Sequence, residues 1–250
     1  MSNDSFYKVI QNIFFQTNYT CNICGKEIFS GKYFCDKCES VLPRIDKNKC
    51  DHCGRVTFYA VKYCDSCVKR NINFDTARSV FDYVEPIDNL IKDFKYKGKR
   101  YLSEVFASEL KNLYYSEFIT ADAIVYVPMT EERLNERGYN QAGLIAKELG
   151  EILNLPVLDN AIRKTRETSR QANLNKDERR LNLSKTFTAY KKEVNGKHLL
   201  LVDDVLTTGA TADIIAEYLK KKGAKTVTVL TIASVQSPKL KPKNLNGIEE

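Results

Sequence analysis

Between residues 199 and 211 the apolar and polar positions separate into blocks. Leu199, Leu200, Leu201 and Val202 form an unbroken apolar run, the pattern of a strand buried on both faces. Asp203 and Asp204 end it. Thr207, Thr208, Gly209, Ala210 and Thr211 then lead into a helix predicted from about Thr211 to Lys222. The same reading predicts strands over 77–84, 124–127, 187–190 and 227–233, and helices over 87–94, 102–115 and 140–153. Leu144, Ile145, Leu149, Ile152 and Leu153 are expected on the buried side of the last of these. The β-branched run 124–127, closed by Pro128, is expected as a central strand. Strands alternating with helices from about Asn71 onward imply an α/β, doubly wound and mostly parallel sheet. Such sheets bind ligands beyond the carboxyl ends of their strands. The tail after Ser237, with two prolines and alternating lysines, is expected to be frayed.

The strand–loop–helix segment suits a sugar carrying a terminal phosphate. The backbone N–H groups of Thr207 to Thr211 can turn toward an anion at the positive end of the following helix. Gly209 lets the main chain approach where a Cβ would collide. The threonine hydroxyls add donors, and Asp203 and Asp204 stand where they can accept from vicinal hydroxyls.

All eight cysteines fall within the first 67 residues, as the Cys-x-x-Cys pairs Cys21/Cys24, Cys35/Cys38, Cys50/Cys53 and Cys64/Cys67. The regular gaps read as a duplicated unit with a four-cysteine site for tetrahedral Zn2+ in each half. Sequential and interleaved pairings both fit the spacing. Gly25 and Gly54 follow knuckle-like pairs, where a positive φ closes the turn. Disulfides need an oxidising compartment, and the N-terminus offers neither a basic leader nor a small-residue cleavage site. No thioredoxin-like pattern surrounds the pairs. Four thiolates leave no open metal position, so zinc is expected to be structural and to supply the folding energy of so small a module. The expected division is a zinc-binding module over 1–72, an α/β domain over 73–237 and a flexible tail over 238–250.

Charge narrows the picture only slightly. A net charge of +7 suits a polyphosphate or a nucleic acid without choosing between them. Lys47, Lys49, Arg55, Lys62, Lys69 and Arg70 are interleaved with Asp36, Glu39, Asp46, Asp51 and Asp65, the mark of a solvated surface. His52 is expected as an exposed knuckle residue. No apolar run reaches the ~20 residues of a membrane span, so a cytoplasmic protein without membrane insertion is expected.

Residues 199–211 resemble the 5-phosphoribosyl-1-pyrophosphate (PRPP) signature of type I phosphoribosyltransferases at all thirteen positions. The resemblance implies that Asp203 and Asp204 are the catalytic acids that contact the ribose diol. It assigns the 5′-phosphate to Thr207, Thr208, Gly209, Ala210 and Thr211. The run Val127 to Ala142, with its Glu-Arg-Gly-Tyr-Asn-Gln core, resembles one branch of that fold, the ComF/GntX family of competence-related proteins. It implies pyrophosphate binding by Met129, Thr130, Arg133 and Arg137. The two arginines are four apart and so able to face one anion from a single helical turn. Lys164 to Phe187 resembles the family's mobile lid and includes Thr168, Gln171 and Arg179. Phe94 to Arg100 matches its basic turn between helices. With the cysteine array, the resemblance spans nearly the whole chain. It implies Mg2+-dependent transfer of phosphoribose to an unidentified acceptor and an association with DNA uptake. The alternative is a non-catalytic PRPP- or nucleotide-sensing adaptor that binds single-stranded DNA. Many nucleobase enzymes of this fold place an aromatic platform near the C-terminus, but here no Phe, Tyr or Trp follows Tyr218.

Overall fold

A computed structural model describes residues 20–28, 32–46, 48–70, 72–164 and 186–236. Thr168, Gln171 and Arg179, the expected lid residues, lie outside these, as do Lys47 and the tail after Ser237. The elements are α1 (Asp36–Glu39), α2 (Asp65–Val68), β1 (Thr76–Asp82), α3 (Ile87–Tyr96), α4 (Leu102–Ser116), β2 (Ala123–Tyr126), α5 (Glu131–Arg137), α6 (Gln141–Leu153), β3 (Ile162–Lys164), β4 (Phe187–Ala189), α7 (Lys191–Val194), β5 (His198–Leu206), α8 (Ala210–Lys221) and β6 (Thr226–Ser234). Contacts divide the chain at Leu42/Pro43 into two compact units. The first holds the cysteine pairs up to Cys38. The second holds the other four cysteines together with β1 to β6. Among the described residues no helix is long and apolar enough to cross a membrane.

β1, β6, β5 and β2 form, in that order, a four-stranded sheet in which every pair is parallel. The apolar runs explain this: β5 and β6 are buried along nearly their whole length, as central strands covered on both faces must be. On one face α4 lies over β1 and β6, α6 lies over β5 and β2, and the two helices pack together. The other face presents Ala77, Val125, Leu199, Leu201, Val227 and Val229. These share one buried cluster with Ile215 and Leu219 of α8, and with Cys50, Cys53, Cys64 and Cys67.

Three expectations are corrected. β2 is not central but the last strand of the sheet. Its apolar character arises because residues 156–158 cover its outer side, with the Ile124 N–H donating to the Pro156 carbonyl (2.9 Å) and the Leu158 N–H to the Ile124 carbonyl (2.8 Å). β4 does not join the main sheet but pairs antiparallel with β3. Its buried–exposed–buried alternation covers one face only, which suits a small hairpin and not a doubly covered sheet. In α6, Ile152 is exposed and Leu144 only partly buried, whereas Ala142, Gly143, Ala146 and Gly150 face inward with Ile145 and Leu149. The glycines decide that rotation. A Cβ on Gly143 would stand 3.2 Å from the Tyr126 ring, and one on Gly150 would stand 2.6 Å from a Val157 methyl.

Candidate sugar-phosphate site

The rim at the carboxyl ends of β5 and β2 gathers the chemistry. Asp203 and Asp204 do not end the strand as expected but lie near the carboxyl end of β5, which runs on through Val205 to Leu206; Asp204 is buried and Asp203 partly so. The backbone N–H of Asp204 donates to Asp203 Oδ1 (2.8 Å). Burial, reinforced by the neighbouring Asp204 charge, pushes the Asp203 carboxyl up to about 7. Lys95, in the last turn of α3, places its Nζ 2.8 Å from Asp204 Oδ1. Lys97 and Lys99 both turn to Asp93, each at 2.7 Å, so of the basic run only Lys95 reaches the acids. The sequence marked that run without separating its lysines. Helical spacing from Phe94 to the following turn does not show which of them faces the sheet.

From the other strand, Thr130 caps α5 by accepting from the Arg133 N–H (3.4 Å), and Gly138 ends the helix at φ +73. Arg137 lies 5.1 Å over the Tyr96 ring and donates to Gln141 Oε1 (3.2 Å). Met129, Arg133, Arg137, Asp203, Asp204 and Thr211 all line one cavity of about 260 Å³, together with Asn140, Gln141 and Lys164. Thr130 is not among its lining residues and acts as a helix cap. A larger groove of about 540 Å³ beside Gly150 and Val157 contains none of the candidate residues.

The expected phosphate loop turns through Gly209 at φ +78, a left-handed conformation that β-carbon-bearing residues adopt at a cost, and α8 begins directly after it. Its outer side carries contacts that the sequence did not announce. Arg55 donates from Nη2 to the Thr207 carbonyl, and Arg70 from Nη1 to the Thr208 carbonyl (3.0 Å). The expectation that the basic residues of the cysteine region form a solvated surface is therefore corrected at Arg55, which is buried. It is also corrected at Lys49, which pairs with Glu117. His52, likewise, is not an exposed knuckle residue: it is half-buried and stacked on Phe74 with ring centroids 5.4 Å apart.

The cysteines resolve into sequential sets. The sulfurs of Cys21, Cys24, Cys35 and Cys38 lie within 4.8 Å of one another, and so do those of Cys50, Cys53, Cys64 and Cys67. Four sulfurs about 2.3 Å from a common centre sit about 3.8 Å apart at tetrahedral angles. The observed separations match: 3.8 Å for Cys24–Cys35 and Cys50–Cys67, 3.7 Å for Cys53–Cys64 and 3.6 Å for Cys64–Cys67. Hydrogen bonds within the second set push Cys50 below the usual thiol range and Cys67 above it. A bound dication supplies the charge that lets all four deprotonate.

A parallel sheet with paired acids at a strand end, a left-handed turn into a helix and an arginine-lined cavity beside them is the layout of the type I phosphoribosyltransferase fold, here preceded by a double zinc ribbon. The Phosphoribosyl transferase domain family matches residues 134–247, and the Double zinc ribbon domain family matches residues 10–68. Competence protein F of Haemophilus influenzae is 30% identical over 232 residues, covering 89% of this chain and 93% of that protein. The DNA utilization protein YhgH of Escherichia coli O157:H7 is 33% identical over 219 residues, covering 84% of this chain and 94% of its own length. Competence protein ComFC of Bacillus subtilis is 30% identical over 161 residues, 64% of either chain. The chain belongs to the ComF family of competence and DNA-utilisation proteins.

Proposed function

We propose that the protein binds PRPP and transfers its phosphoribosyl group to an acceptor with release of pyrophosphate. The observation that carries this reading is the single cavity onto which Asp203 and Asp204 open from β5, and Arg133 and Arg137 from the segment after β2. Breaking the bond from the anomeric carbon to pyrophosphate builds positive charge on the ribose ring and negative charge on the departing group. Arg133 and Arg137 meet the negative charge, while Asp203 and Asp204 accept from the ring hydroxyls beside the positive one. The loop from Thr207 to Thr211 anchors the 5′-phosphate, so that the reacting carbon is held in place. Mg2+ would neutralise pyrophosphate oxygens, held mostly by substrate and water. Titration calorimetry with PRPP and Mg2+ tests the reading. Micromolar binding by the wild type, weakened tenfold or more in Asp203→Asn/Asp204→Asn, is expected. A wild type that ignores millimolar PRPP would sink the proposal. Screening bases, nucleotides and DNA ends for pyrophosphate release then identifies the acceptor.

A second reading, a nucleic-acid adaptor in DNA uptake, draws on a different surface. Phe58, Tyr59 and Tyr63 are 67%, 71% and 50% exposed in the second ribbon, and Lys62 lies over the Tyr63 ring. Aromatic rings beside cations are the platform on which unpaired bases stack. Salt-sensitive binding of an oligothymidine, lost in Phe58→Ala/Tyr59→Ala, would favour this reading. The lysines of 95–99 make a poorer test, since each is paired with a carboxylate.

A further inference from the structure

The second zinc ribbon reaches into the loop that precedes α8. Arg55 follows Cys53 by two positions, and its Nη2 donates to the Thr207 carbonyl. Arg70 follows Cys67 by three positions, and its Nη1 donates to the Thr208 carbonyl at 3.0 Å. These carbonyls belong to consecutive residues. In a trans peptide the N–H points away from the C=O of the same plane. A guanidinium that draws the Thr207 carbonyl outward therefore turns the Thr208 N–H inward, and the grip on Thr208 does the same for the Gly209 N–H. Inward N–H groups at the start of a helix are the donors such a loop offers a phosphate.

The arginines are themselves held by the metal module. Cys50, Cys53, Cys64 and Cys67 share one buried cluster with Phe74, Leu206 and Ala212, the last two flanking the loop. The Ala77 N–H donates to the His52 carbonyl (2.8 Å), tying the knuckle to β1. Arg55 is only 6% exposed, and its Nε has no hydrogen-bond partner among the described residues. A buried guanidinium with an unused donor is costly, and an anion seated in the loop would offset part of that cost.

We propose that Arg55 and Arg70 are positioning residues for the 5′-phosphate of a pentose, which makes the second ribbon a working part of the sugar-phosphate site. The ligand rests on the PRPP reading above; the positioning does not. Hydrogen exchange followed by mass spectrometry on the zinc-loaded full chain separates the two. Arg70→Ala changes an exposed side chain, and Arg55→Lys keeps the charge while losing the fork. Both should retain wild-type zinc and speed exchange in the peptides spanning 206–211 without ligand. Unchanged exchange in both variants overturns the positioning role. Calorimetry with ribose 5-phosphate should show roughly tenfold weaker binding in each variant, the scale of a lost charge-assisted hydrogen bond. Binding of pyrophosphate with Mg2+ should be unaltered. Equal losses for both ligands would reduce the arginines to general charge and overturn the proposal. A wild type that binds neither ligand removes the PRPP reading, while the exchange experiment still decides the positioning.

Discussion

Asp203 holds its proton to about 7, and this single shift has consequences for stability and for binding. The folded carboxyl takes up a proton more readily than the unfolded one, whose value is near 4. Its contribution is therefore full below pH 4 and is lost as the pH rises through about 7. Asp203→Asn should raise the urea midpoint relative to wild type only slightly at pH 4 and by more at pH 8. Midpoints that move in parallel at both values would refute the assignment. The charge on Lys95 opposes the shift, so Lys95→Met should carry the same transition to higher pH. The two acids were legible from the apolar run that they terminate. Lys95 was not: it lies 109 positions from Asp204, and only the packing of α3 brings them together.

Among the elements, the knuckle at Cys50–Gly54 is tightly constrained against β1. Gly54 sits at φ +68, and a Cβ there would strike the Ala77 carbonyl of β1. Gly54→Ala combines left-handed strain with overpacking against backbone and should cost about 2 kcal/mol or more. Denaturant unfolding of the zinc-loaded chain measures it. The matching change at Gly25, where a Cβ meets nothing within 4 Å, should cost less. The sequence showed that both glycines close a turn, but not that one of them abuts a strand. For the same reason the apolar pattern misplaces the buried face of α6. Leu and Ile positions mark a hydrophobic face, whereas the close approach over β2 needed Gly143 and Gly150, which hydropathy does not weigh. β4 falls where a strand is expected, but β3 has no sequence signal, because three residues leave almost no period to read, and without β3 the pairing of β4 is not legible.

At the scale of the molecule, the duplicated cysteine pattern hides a difference in surroundings. Both sets offer four thiolates, but only Cys50, Cys53, Cys64 and Cys67 belong to the buried cluster that includes α8. Metal analysis should return two zinc per chain. Cys64→Ser should reduce the count to one and lower the melting temperature of the sheet-bearing unit, read by the tyrosine near-ultraviolet signal. Retention of both metals, or an unshifted melt, would contradict the shared core.

That shared core decides where the chain can be cut. A fragment beginning after the last cysteine would expose Phe74, Ala77 and Leu206, an apolar bed shaped to receive the second ribbon, and should collect as aggregate. One beginning at Pro43 keeps that bed covered and should be recovered as a soluble monodisperse species.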